Sequence, residues 1–160
     1  MKSEALKLPI LICLLILAID QITKFLVVQF MLPGMSISVI PDIFRLTFVL
    51  NPGAAFGILA HQRLVFIVIG VLLVVAAIAA AVIAYIRVWR QCAWLRYGGA
   101  MFLGGAVGNL IDRIRFGYVI DFFDFRVWPV FNIADIAIVA GTLGIMYALL
   151  RGQGQNHWSF

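Results

Sequence analysis

Three aspartates, Asp20, Asp112 and Asp135, lie near the ends of three separate apolar segments of the chain. If each segment is a helix, Asp20 lies about 20 Å beyond Lys7, and the other two lie about 24 Å from the basic residues that flank their own segments. Because neighbouring helices run in opposite directions, this spacing predicts three carboxylates at nearly the same membrane depth. Charges inside a bilayer are costly and usually functional; the alternative is that they only mark helix ends at the interface.

The available residue types favour chemistry by carboxylates. Histidine occurs only at His61 and His157, and neither a GxSxG nor an HExxH motif is present. Hydrolysis by a serine or cysteine nucleophile and a zinc hydrolase are therefore poorly supported. Two carboxylates held close together share one proton, and such a pair can hydrolyse a peptide bond. A proton or ion pathway and a structural subunit of a membrane complex remain alternatives on these residues alone.

The elements that must position these side chains are predicted to be transmembrane helices. The chain is 64% hydrophobic and 12% charged, with a mean hydropathy of +1.09, well beyond an ordinary soluble domain. The longest uncharged run, 64–86, is long enough to cross a bilayer, and weaker spans are predicted at about 8–30, 94–113 and 132–150. We expect an all-α integral membrane protein with four transmembrane helices, forming one membrane domain over residues 1–160.

The segment 31–63 is predicted to add a small β-sheet on the membrane surface. Residues 36–39 and 44–50 alternate between apolar and polar side chains, which is typical of strands. Residues 114–131 are predicted to form a loop on the same side. Asn109 and Asp112 are spaced to share one helix face, and Asn132 is suited to cap the fourth helix.

Other residues limit the possible membrane topology and the possible partners. The first segment is expected to be a retained helix, because no small-residue cleavage site follows it. The Lys and Arg residues divide equally between the two sides, and they favour cytoplasmic termini only if Lys24 and Arg113 are set aside as site residues. Cys13 and Cys92 are not placed for a disulfide, and the net charge of +5 is not clustered as nucleic-acid binding requires.

Five motifs occur in an order that resembles a known family. They are DQxxK (20–24), NPGAAFG (51–57), GNLIDR (108–113), VIDFFD (119–124) and FNIAD (131–135). Together they resemble lipoprotein signal peptidase, also called signal peptidase II, over almost the whole chain.

The resemblance implies an aspartic endopeptidase of the bacterial inner membrane, with cytoplasmic termini, four helices and a small periplasmic sheet. Its substrates would be diacylglyceryl-modified prolipoproteins, cut just before the lipidated cysteine near the periplasmic face. A globomycin-type inhibitor is expected to bind, membrane lipid is a partner, no metal or other cofactor is used, and the protein is expected to be a monomer.

The same resemblance assigns roles to residues of this sequence. It implies that Asp121 and Asp135 are the catalytic pair. The substrate-binding and supporting residues would be Asp20, Lys24, Asn51, Gly53, Asn109, Arg113 and Asn132. Asp112 is interpreted as structural. Asp124 stays an alternative member of the pair, because its spacing also suits such a role.

Overall fold

A computed structural model of the chain describes residues 4–53, 63–87 and 92–155. Its elements, in chain order, are α1 (Glu4–Phe30), β1 (Ser36–Ile40), β2 (Phe44–Asn51), α2 (Arg63–Arg87), α3 (Ala93–Phe116), β3 (Val119–Asp124) and α4 (Ile133–Gln155). The protein is mostly helical, as predicted. The second part of the NPGAAFG motif, residues 54–57, lies outside the described residues.

The helices differ in how well they suit a bilayer. Within the described residues, Leu6–Phe30 and Ile133–Arg151 are long and apolar enough to cross a membrane, while Leu64–Ala80 is a shorter apolar helix. The outward faces carry large apolar side chains, and Phe30 and Leu64 are each more than 70% exposed. Surfaces of this kind need an apolar partner such as lipid. Two clear apolar spans are established, and four transmembrane helices stay a prediction.

α3 is the central helix and packs against α1, α2 and α4. Its glycines allow this, because small residues let helix backbones approach closely in an apolar environment. A Cβ atom at Gly98 would lie 2.8 Å from the carbonyl oxygen of Gly141, and one at Gly105 would collide with the carbonyl oxygen of Ala134. α3 and α4 are therefore in backbone contact along the faces that carry Asn109 and Asp135.

The sheet is antiparallel in the order β1-β2-β3. β1 and β2 occupy the two alternating segments, with Ser36 opposite Thr47. The segment 114–131 is not simply a loop, however. α3 continues to Phe116, and VIDFFD forms β3 beside β2. The strand pattern was hidden because Val119 to Phe122 are buried without alternation, so the period-two signal of a half-exposed strand is missing.

A small apolar core joins the sheet to the end of α1. It consists of Val27, Met31, Phe48, Ile120 and Phe122. Burying these side chains places β3 directly against the end of α1, since Val27 belongs to α1, Met31 follows its last residue, and β3 supplies two of the five. The residue between the two β3 members is Asp121, which therefore faces away from this apolar core and towards the helix bundle.

Candidate functional site

A buried ion cluster connects α1 to α3. Lys24 Nζ lies 2.9 Å from Asp20 Oδ2 and 2.8 Å from Asp112 Oδ2, and none of the three side chains is more than 2% exposed. Asp20 and Lys24 are one helical turn apart, so both can point to the same side of α1. A buried charge is tolerated only when it is paired and hydrogen-bonded, and each of these charges is.

Asp20 also contacts α4, in addition to α1 and α3. Its Oδ1 accepts a hydrogen bond of 3.0 Å from the backbone N–H of Ala134 in the first turn of α4. The close approach depends on Gly108, where a Cβ atom would lie 2.5 Å from Asp20 Oδ2. Asp20 therefore fixes the position of the helix that carries Asp135.

Asn109 of α3 connects this ion cluster to Asp135. Its Oδ1 accepts hydrogen bonds from Lys24 Nζ at 2.9 Å and from Asn132 Nδ2 at 3.1 Å. Its Nδ2 donates to Asp135 Oδ1 at 2.8 Å. The Asn109 side chain is thus fully engaged, and its orientation is set by a cation on one side and a carboxylate on the other.

Asn132 caps α4 and also contacts the other carboxylate. Its Oδ1 accepts from the N–H of Asp135 at 3.0 Å, and its own N–H donates to Asp135 Oδ2 at 3.1 Å. This is the reciprocal arrangement of a capping box. Its Nδ2 is then free to donate to Asp121 Oδ1 at 2.7 Å. One completely buried residue therefore holds both Asp121 and Asp135.

Asp121 and the strand that carries it are held by contacts with β2 and α3. Asn51, at the end of β2, donates from Nδ2 to Asp121 Oδ2 at 2.8 Å. The backbone N–H of the preceding residue, Ile120, donates to Asp112 Oδ2 at 3.2 Å. The strand that carries Asp121 is thereby attached to α3 as well as to β2.

Burial raises the pKa of Asp121 from its ordinary value of 3.8 to about 6. Desolvation is the largest cause, and the negative charge of Asp135 acts in the same direction. Hydrogen bonds from Asn51 and Asn132 and the charge of Lys24 oppose the increase without cancelling it. Asp121 is therefore a carboxyl group that holds its proton in mildly acidic conditions, beside a second carboxyl group.

Two further predicted residues lie at the edge of this arrangement. The N–H of Gly53 donates to Asn51 Oδ1 at 2.9 Å, and this turn directs Asn51 Nδ2 towards Asp121. Gly53 adopts φ +84°, a conformation that favours glycine. Arg113 is half-buried, donates to the carbonyl oxygen of Asn109 at 3.2 Å, and adds positive charge near both Asp121 and Asp135.

Asp124 lies in a different environment on the same strand. Its carboxylate accepts hydrogen bonds from the N–H of Arg126 and from Thr47 Oγ1, each 2.8 Å long. The Arg126 hydrogen bond is the main reason that the pKa of Asp124 is lowered. Asp124 is thus an ionised group at the sheet surface, while Asp121 is directed towards Asn132.

Two participants were not singled out from the sequence. Gln21 donates from Nε2 to Asp20 and Asp112, in both cases at 3.1 Å, and so adds neutral support to the ion cluster. Its place beside Asp20 in the DQxxK motif is the signal that could have identified it. Thr47, the partner of Asp124, has no such signal, because the two are 77 residues apart.

The site thus contains four carboxylates, two cations and three asparagines from five elements. Across residues 4–53, 63–87 and 92–155, no three His, Cys, Asp or Glu side chains are grouped so that they could hold a metal ion. The group best suited to chemistry is the pair Asp121 and Asp135, because both are anchored by Asn132 and one has a raised pKa. Such a pair can hold one proton and act as acid and base on either side of a water molecule.

These features define a helical membrane protein with a paired-carboxylate site between its helices and a small sheet. A family model described as signal peptidase (SPase) II matches residues 12–151. The chain belongs to the signal peptidase II family.

Curated relatives carry the name lipoprotein signal peptidase. The protein of Moorella thermoacetica is 49% identical over 92% of this chain and 95% of its own length. The protein of Pelotomaculum thermopropionicum is 45% identical over 91% of this chain and 93% of its own length. The family and these relatives establish that this protein is a protease that acts as a lipoprotein signal peptidase.

Solved structures agree with the fold. One, described as a bacterial membrane enzyme solved by the in meso method at 2.3 Å, superposes with a TM-score of 0.81 at 31% identity, covering 95% of this chain and 93% of that one. A second of the same description, at 1.9 Å, gives 0.77 at 33% identity, covering 89% and 92%. The chain is a bacterial membrane protein.

Proposed function

We propose that this protein is an aspartic endopeptidase that removes the signal peptide of diacylglyceryl-modified prolipoproteins, cutting just before the lipidated cysteine, with Asp121 and Asp135 as the catalytic residues. The observation that carries this proposal is the position of Asn132, which hydrogen-bonds both carboxyl groups from a buried helix cap. The name of the relatives, lipoprotein signal peptidase, supports the class of substrate.

The chemistry needs one proton on the pair. The raised pKa of Asp121 favours this residue as the protonated member. The ionised carboxyl, Asp135, accepts a proton from water as the water oxygen attacks the scissile carbonyl carbon. The protonated carboxyl, Asp121, donates its proton to the carbonyl oxygen. The proton gained by Asp135 then passes to the leaving nitrogen as the C–N bond breaks, and one hydroxyl of the tetrahedral intermediate returns its proton to Asp121 as the carbonyl group forms again.

The surrounding amide and cationic side chains hold the two carboxyl groups in position. Asn109 and Asn132 hydrogen-bond Asp135, and Asn51 and Asn132 hydrogen-bond Asp121. Arg113 supplies positive charge near both carboxyl groups, which stabilises an oxyanion that develops during attack. Asp20, Lys24 and Asp112 are too deeply enclosed to meet substrate and act as support.

We further propose that four transmembrane helices carry the site near the periplasmic face of the inner membrane, with both termini in the cytoplasm. The lipid anchors of the substrate then remain in the bilayer while the cleavage segment reaches the carboxyl groups. The protein acts as a monomer without metal or other cofactor, and a globomycin-type inhibitor competes with substrate. A proton pathway would instead place charges throughout the membrane depth, whereas the described carboxylates gather at the sheet end.

The decisive experiment is cleavage of a purified diacylglyceryl-modified prolipoprotein. Asp121→Asn and Asp135→Asn each remove the shared proton or the base, so we expect activity to fall at least about 10⁴-fold, as in other catalytic units. Asp124→Asn is the matched control on the same strand and retains activity. Thermal unfolding checks that all three variants are folded. Retained cleavage by Asp121→Asn, with loss in Asp124→Asn, would show that the pair is assigned wrongly.

The lipid requirement and the topology have separate tests. The same prolipoprotein without its diacylglyceryl group should be cut poorly, and equal cutting would reject the role of the anchor. In a Cys13→Ala background, Ser38→Cys on β1 should react with a membrane-impermeant maleimide added outside spheroplasts, while the natural Cys92 should not. Labelling of Cys92 alone would reverse the proposed orientation.

A further inference from the structure

An apolar groove lies at the end of the helices opposite the carboxylate site. It is formed by α1, α2 and α3 and has a volume of about 200 Å³. On α1 it extends from Leu6 to Leu14, and on α3 from Arg96 to Leu103, so it runs roughly 10–12 Å along the helices. It is open on one side, and its lining is almost entirely apolar apart from Arg96.

Arg96 is the chemically unusual member of this lining. Its Nε is buried and has no hydrogen-bond partner among the described residues. Its guanidinium carbon lies 5.7 Å from the ring centre of Tyr97. Every aspartate of the chain lies at the carboxylate site or on the sheet and its connections, so Glu4, at the start of α1, is the one acidic residue that the sequence places at this end, where the described residues also include Lys7, Arg96 and Arg151. A buried polar group without a partner is costly, so the groove is complementary to an anion.

Neighbouring residues indicate that this anion would lie at headgroup depth. Trp94 is 57% exposed and packs edge-on against Tyr147, whose ring also lies beneath Arg151. Exposed aromatic and basic residues of this kind form the interfacial belt of membrane proteins. In addition, the N-cap of α3, Cys92, makes no side-chain cap and the first turn carries no acidic residue, so the positive end of the helix dipole is uncompensated.

We propose that this groove binds an anionic phospholipid, with the phosphate at Arg96 and one acyl chain lying between α1 and α3. A guanidinium binds phosphate strongly through paired hydrogen bonds. The apolar length beyond Arg96 accounts for a chain as well as a headgroup, which a free phosphate would leave empty. The site does not depend on the assignment of Asp121 and Asp135, because it lies at the opposite end of the helices.

The experiment compares retention of phosphatidylglycerol and phosphatidylcholine by the full-length protein in detergent, measured by native mass spectrometry. We expect the wild-type chain to retain phosphatidylglycerol about five-fold better, the size expected of one basic residue near a membrane surface. Arg96→Gln should remove this preference and Arg96→Lys should keep part of it. Arg151→Gln, at the same end, is the matched control and should leave the preference unchanged.

The acyl-chain part of the site has its own test. A Cβ atom at Gly99 meets nothing within 4 Å, so Gly99→Leu should fold and fill the groove. It should lower retention of both lipids, while glycerol phosphate alone should not displace phosphatidylglycerol. Equal retention of the two lipids by the wild-type chain, an equal effect of Arg151→Gln and Arg96→Gln, or displacement by glycerol phosphate would each overturn the proposal. Cleavage activity is read separately, so failure here leaves the proposed function untouched.

Discussion

The side-chain amide of Asn132 donates a hydrogen bond of 2.7 Å to Oδ1 of Asp121, across the junction between a helix cap and a strand. The same residue caps α4 through its Oδ1 and its backbone N–H. Asn132 therefore combines a local role in helix initiation with a long-range role in aligning two carboxyl groups that belong to different elements.

Substitutions at Asn132 should separate these two roles. Asn132→Ser keeps a capping oxygen but removes the donor to Asp121 and Asn109, so we expect a loss of about 1–3 kcal/mol in stability and turnover reduced about 100-fold, the effect of misplacing a catalytic group. Asn132→Ala also removes the cap and should cost about 1 kcal/mol more in stability. Thermal unfolding and kcat measured on both variants check this. A fully active Asn132→Ser would show that the amide does not align the pair.

The raised pKa of Asp121 predicts a pH-dependent activity. The pair works with one proton, and that proton is lost as the pH rises, so kcat/KM should decline on the alkaline side with an apparent pKa at or above about 6. Asp124→Asn should leave this limb in place, because Asp124 does not share the proton. A kcat/KM profile that stays flat from about pH 5 to pH 8 would contradict the assignment.

The same pKa has a consequence for stability. Between about pH 4 and pH 6 the folded protein holds a proton on Asp121 that the unfolded chain has released, so the stabilisation present at low pH is lost as the pH rises through about 6. Asp121→Asn cannot titrate and should show a flatter dependence of the unfolding free energy on pH over this range. If the unfolding free energy of the wild type and of Asp121→Asn changed equally with pH, Asp121 would not be the group whose pKa is raised.

Lys24 should contribute more to the stability of the fold than to the catalytic step. Lys24→Met leaves Asp20 and Asp112 buried without their cation, and breaking a buried ion pair in this way costs about 3–5 kcal/mol. Lys7→Met, an exposed lysine of the same helix, is the matched control and should cost far less. In the double variant Lys24→Met/Asp112→Asn, part of the loss should be recovered, and strict additivity in unfolding measurements would exclude the coupling.

Gly53 and Gly34 form a matched pair for testing the turn that supports Asn51. Both adopt φ +84°, so alanine at either position should lose about 1–2 kcal/mol through backbone strain. At Gly53 the added Cβ would also lie 3.0 Å from the ring of Phe66, while at Gly34 it meets nothing within 4 Å. Gly53→Ala should therefore displace Asn51 and reduce kcat about ten-fold, and Gly34→Ala should not. Equal kcat values in the two variants would show that the position of Asn51 does not affect catalysis.

Much of the helical part of this arrangement could be predicted from sequence because depth along a helix follows from residue count. Asp20, Asp112 and Asp135 were expected at one level, and the described contacts bring all three to the same cluster. Asp112, interpreted as structural, is indeed enclosed in an ion pair. The role of Asn132 as a helix cap was also readable, since Asp135 follows it by three residues.

The strand part was harder to predict for a physical reason. Asp121 owes its position to β3, whose register against Val49 and Asn51 is set by contacts about 70 residues away. Burial of successive β3 residues removes the alternation by which a strand is recognised. The choice between Asp121 and Asp124 therefore rested on motif resemblance alone, and it stays a prediction.

The hydrogen bond from Ile120 to Asp112 means that the sheet and the helix bundle form one mechanical unit. Val39 of β1 and Ile43 in the turn before β2 are exposed and apolar. A displacement of the sheet would therefore move β3 and change the position of Asp121 relative to Asn132.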